Sequence, residues 1–89
     1  MKQTQTTSPT EITKQAIAAQ LGYERAPMLL TQEEVAEVLG VSKGSLEVWR
    51  STGKHGIPFV KVGRLVRYRI DAIAAYVEQQ TQAGTEVQA

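Results

Sequence analysis

The chain has 89 residues, of which 42% are hydrophobic and 6% aromatic, and its formal net charge is +1. That length holds one small domain with a modest core. The lack of cysteine excludes a disulfide framework and a thiolate metal site, and no apolar run approaches the roughly 20 residues of a membrane span.

After Met1 and Lys2, the rest of residues 1–9 is Thr, Gln and Ser with one Pro, and this composition predicts a disordered tail. Residues 10–27 read as a helix and a linker. Ile12, Ala16, Ile17 and Leu21 fall at helical spacings, Thr10 is the N-cap candidate, and Gly22 ends the run. This thin stripe leaves three roles open: packing on the domain, self-association, or fraying.

The organised part, 28–80, starts at Met28. Thr31 followed by Glu34 in "TQEE" predicts a capping box, in which the Thr hydroxyl accepts an N3 amide and the Glu carboxylate accepts the Thr amide. Val35, Val38 and Leu39 give the apolar stripe of a two-turn helix over 32–39, which Gly40 closes with a left-handed cap. Ser42 is the N-cap candidate of a second helix over 43–51. Leu46 and Trp49 face inward, while Lys43, Gly44, Ser45, Glu47, Val48 and Arg50 face outward. Gly44 weakens that helix by about 1 kcal/mol relative to Ala, unless close approach to something is useful. Two short helices joined by "GVS" make a helix-turn-helix.

After Pro58 comes a hairpin. A three-residue connection over 63–65 sets Val62 opposite Val66, Val60 opposite Tyr68, and Lys61 opposite Arg67. That register gives one apolar face (Val60, Val62, Val66, Tyr68) and one charged face, and is preferred to a two-residue turn that mixes them. It places like charges across the ladder, a cost that an anion over that face would offset. The last helix opens at Asp71 as N-cap. Ile73, Tyr76 and Val77 point inward, Ala72 and Ala75 allow close packing, and 81–89 reads as a disordered tail.

The order helix-turn-helix, wing, helix predicts a mainly α winged helix-turn-helix with a small two-stranded β wing and an extra N-terminal helix. Its charge distribution points to a polyanion. Residues 43–69 hold seven of the ten basic residues and one of the nine acids, a net +6 against −5 for the rest of the chain. The candidate reading-helix residues are Ser42, Lys43, Ser45, Glu47 and Arg50. The wing and its approach contribute Lys54, His55, Lys61, Arg64, Arg67 and Arg69. A short polar helix suits the major groove, and wing cations suit phosphates. Glu47 either accepts from a cytosine amino group or, the preferred reading, pairs with Lys43 one turn earlier. Trp49 reads as core, and His55 as a loop residue near phosphates.

Residues 29–77, through "LLTQEEVAEVLGVS", "LEVWRSTG", "IPFVKVGRLVRYR" and the closing helix, resemble the excisionase-type, MerR-like helix-turn-helix domains of phages, plasmids and genomic islands. Here the link "KHGIPF" is longer than in many relatives. The resemblance implies a DNA-binding module that controls recombination direction or transcription. It carries DNA contacts onto Lys43, Ser45, Arg50, Lys61, Arg64 and Arg67. The expected partners are double-stranded DNA, an integrase or recombinase, and neighbouring copies bound cooperatively through 10–21 or the tail. The expected setting is bacterial or phage-encoded, cytoplasmic and nucleoid-associated. A non-enzymatic adaptor for phage assembly or packaging on the same scaffold is the alternative. Catalysis is not expected: His55 is isolated, no nucleophile–base pair or metal cluster stands at motif spacing, and no cofactor is implied.

Overall fold

The computed structural model describes residues 8–87. Its elements are α1 (Pro9–Gln20), β1 (Leu29–Thr31), α2 (Gln32–Leu39), α3 (Lys43–Thr52), a 3-10 turn (Lys54–Gly56), β2 (Val60–Val62), β3 (Leu65–Arg69) and α4 (Ile70–Val87). The fold is the expected winged helix-turn-helix with an added helix in front, but the sheet has three antiparallel strands in the order β1-β3-β2.

α1 begins earlier than predicted. Ser8, not Thr10, is the N-cap, and its hydroxyl accepts the Glu11 amide at 3.1 Å. Pro9 suits the first helical position because its fixed φ is already helical and it has no amide to leave unpaired. α1 packs against α4 through Ile17 and Ala18, which are buried. Ile12, expected inward, is 59% exposed. The Thr13 hydroxyl donates to Glu78 of α4, and the Tyr23 hydroxyl in the following linker donates to Glu34 of α2.

α2 forms as its sequence predicts. The Thr31 hydroxyl accepts the Glu34 amide at 3.1 Å, and the Glu34 carboxylate accepts the Thr31 amide at 2.9 Å. Gly40 caps the helix at φ 71°, the left-handed region where a Cβ is penalised. Ser42 then caps α3 by accepting the Ser45 amide at 3.0 Å. Because Thr31 both ends β1 and starts α2, Thr31→Ala should lower stability by about 1 kcal/mol. For a domain this small, the melting temperature should fall by roughly 4–8 °C. Thr31→Ser should retain most of the stability. Thermal unfolding followed by far-UV circular dichroism checks both.

The wing register differs from the expected one. Val62 pairs with Leu65, Lys61 with Val66, and Val60 with Arg67. The turn therefore has two residues, Gly63 and Arg64. Gly63 takes φ 63° at the first of them, where a type II′ hairpin uses glycine. Turn chemistry prevails over clean alternation because β3 is a central strand. Its buried Tyr68 packs opposite Leu30 of β1, not Val60. Lys61 and Arg67 lie on opposite faces, so the expected like-charge pair does not exist.

Three corrections apply to α4. Asp71 is not an N-cap: the helix starts at Ile70, whose amide donates to the Met28 carbonyl at 2.9 Å. The helix also runs on to Val87, through residues expected to be a tail. Ala74 rather than Ala75 is the small residue packed inside. The core gathers Ile17, Leu30, Val35, Leu46, Tyr68, Ile70 and Ile73 from every regular element except β2. Residues 1–7 of the expected N-terminal tail, and residues 88 and 89, lie outside the described residues. No helix among the described residues is long and apolar enough to cross a membrane.

Candidate nucleic-acid interface

Leu46 is the buried anchor of α3, and Trp49 packs half-buried against the core. With that face turned inward, helical geometry exposes Lys43, Gly44, Glu47, Val48 and Ser51. Ser45 and Arg50, expected outward, are half-buried. The Ser45 hydroxyl sits 3.0 Å from that of Ser42. The Arg50 guanidinium donates to Gln32 Oε1 at 3.0 Å and to the Tyr68 hydroxyl at 3.2 Å, and lies 5.7 Å from the centroid of the Phe59 ring. Arg50 therefore joins α3 to α2 and β3 while remaining beside the wing.

Beside it lies a groove of about 400 Å³, lined by Thr31, Gln32 and Glu33 at the start of α2, by Arg50, and by Arg64, Leu65, Val66 and Arg67 of the wing. α3 and the ribbon thus border one concavity, and three cations converge on it. Arg64 occupies the hairpin turn and is exposed. Arg67 donates to the Val66 carbonyl at 2.9 Å, within electrostatic reach of Glu33 and Glu34. Lys61, on the edge strand β2, is exposed.

The expected ion pair between Lys43 and Glu47 is not the one formed. Lys43 reaches Glu33 at 3.3 Å, and Glu47 accepts a hydrogen bond from Gln32 Nε2 at 3.4 Å. Gln32 was not singled out in the sequence. Its amide links Glu47 on the exposed face to Arg50 behind it. Nothing local signals that role, because both partners belong to another helix.

Four acids among the described residues have carboxyls held below the usual range, Glu11 of α1 among them through hydrogen bonds from Gln15 and Lys14. For Glu33 the main cause is its own backbone amide, helped by Lys43. Burial pushes Glu34 upward, but hydrogen bonds from the Tyr23 hydroxyl and the Thr31 amide outweigh it. Asp71 is held down chiefly by Arg69, which donates two hydrogen bonds to it at 3.1 and 3.2 Å.

That pairing sets Arg69 apart from the other wing cations. It borders a separate concavity with Lys14 of α1 and Met28. Lys54 is exposed on the 3-10 turn. His55 turns toward α4 and is held at φ 70°. Its ring lies 4.2 Å from that of Trp49, and its Nδ1 is 3.3 Å from the Tyr76 hydroxyl. The structure therefore brings Arg50, Arg64 and Arg67 together and places Arg69 and His55 elsewhere.

A family model described as a helix-turn-helix domain matches residues 29–81, more than half of the chain. The match supports the helix-turn-helix domain and does not reach the narrower MerR-like resemblance. No curated protein is significantly similar to the chain.

Proposed function

The chain belongs to the helix-turn-helix domain family, and from that premise we propose that it is a sequence-specific double-stranded DNA-binding protein. The reading extends to a role without catalysis of its own, as an excisionase-type factor that sets the direction of a recombinase or as a small transcriptional regulator. The observation that carries it is the shared groove, where Arg50, Arg64 and Arg67 line one concavity beside the exposed face of α3. A duplex offers that geometry its complement: a groove that admits a helix, flanked by phosphate rows. Lys43, Ser42 and Ser45 stand at the start of α3, where hydroxyls and amides suit phosphate oxygens. A single module of this kind buries roughly 600–1,000 Å² on DNA, so cooperative occupation of neighbouring sites fits its size.

Titration of labelled duplexes over a range of salt tests the reading. Affinity should fall steeply and linearly on logarithmic axes, with one set of sequences preferred at every salt concentration. Selection from a random pool should return a short common site. No uptake of duplex at low salt would exclude DNA as the partner and leave an acidic protein for the basic face. An integrase gene beside this one would favour the excisionase role over transcription.

A further inference from the structure

We propose that Gly44 and Val48 form a low apolar patch on α3 that seats against a thymine methyl group in the major groove. The inference rests on the DNA-binding reading and adds to it the class of base contacted. The two residues are one helical turn apart and stack on the same side of α3, beside the row formed by Lys43 and Glu47 on the exposed face.

Neither residue is explained by the fold. Glycines 22, 40, 53, 56 and 63 all take positive φ, where a side chain would be strained, but Gly44 does not. A Cβ built on Gly44 would meet only the Ser42 hydroxyl at 3.8 Å, an ordinary contact. Backbone conformation and internal packing would both accept alanine there, which favours a helix over glycine. Val48 is 57% exposed, a β-branched apolar side chain offered to solvent in mid-helix. A helix that gives up propensity at one position and exposes a hydrocarbon at the next turn is shaped for a close apolar contact.

The surroundings say what makes that contact. Lys43 and Glu47 both adjoin the patch, and the groove beyond them carries Arg50, Arg64 and Arg67 against Glu33, a net positive surround that suits a polyanion. On the major-groove edge of the four base pairs, the thymine methyl is the one apolar group that projects from the base. A flat glycine beside a projecting valine fits that methyl and lets the helix lie close to it.

Replacing thymine by uracil removes the methyl and leaves the hydrogen-bonding edge intact. In a duplex chosen by selection, uracil at one thymine should weaken wild-type binding about fourfold, the worth of one buried methyl group. Val48→Ala should bind the thymine and uracil duplexes alike. Gly44→Ala should melt at a higher temperature than wild type yet bind the selected duplex more weakly. The proposal is overturned if wild type binds the selected duplex with no uracil-sensitive position, if Val48→Ala keeps the full sensitivity, or if Gly44→Ala binds as tightly as wild type. Failure to bind any duplex would instead remove the DNA-binding reading on which it stands.

Discussion

Replacing Lys61, Arg64 and Arg67 together with glutamine should lower affinity for any duplex by roughly two orders of magnitude, taking about 1 kcal/mol for each exposed phosphate contact. The logarithmic salt dependence should flatten at the same time, by about 2 to 3, since each phosphate neutralised contributes about 0.9 to the slope. Glutamine keeps the aliphatic stem, which matters for Arg67. It is half-buried and pairs with Val60 on one side and Thr31 on the other. The informative control is Arg69→Gln. By sequence Arg69 belongs to the same basic run, but it is engaged with Asp71 and borders the α1 side. It should leave the slope nearly unchanged. Equal effects from Arg69 and from the other three residues would mean that bulk charge, not the placement of the cations, governs binding. A triple variant with an unaltered slope would mean that the wing does not touch phosphate. Circular dichroism and duplex titration of the same preparations separate these outcomes from a folding defect.

That control exists because the sequence and the fold group the cations differently. Seven basic residues in one window are plain to read, and so is the helix-turn-helix, since its punctuation is local. Thr31 with Glu34, Gly40, and Ser42 each act within a few residues of themselves, and each does what its spacing implies. What was not legible depends on partners distant in the chain. β1 is three residues long, and it is a strand only because β3 lies beside it. Once β3 is central, its buried residues are set by Leu30 as well as by β2, so alternation within the hairpin no longer fixes the register. Gly63 was the better guide, because a two-residue turn with positive φ at its first position leaves little choice of pairing. The same distance hides the ties of Arg50 to Tyr68 and of Gln32 to Glu47. Asp71 misled for another reason: it has the chemistry of a cap, but Ile70 already finds an acceptor in the Met28 carbonyl, and Asp71 is left to pair with Arg69.

Ile12 and Ile73 make the sharpest test of the packing. Both occupy helices at positions where apolar periodicity predicts a core side chain. Ile73 is fully buried, among the largest side chains with no surface left, whereas Ile12 is 59% exposed on α1. Ile73→Ala removes three carbons from a site walled by α4's neighbours, α1 and β3, which cannot collapse freely. Such truncations destabilise by about 2–5 kcal/mol. Small domains are stable by only about 5 kcal/mol or a little more. The variant should therefore lose most of its cooperative thermal transition, and with it affinity for both selected and random duplexes. Ile12→Ala should change stability by no more than about 0.5 kcal/mol, as at other exposed positions. If the two substitutions proved equally damaging, α1 would have to bury Ile12 as well as Ile17. The described fold lays α1 against α4 through Ile17 and Ala18 and leaves Ile12 exposed, so the second contact would come from another copy. Denaturation of Ile12→Ala at several protein concentrations distinguishes the cases: a midpoint that moves with concentration indicates association, and a fixed one indicates the packing described.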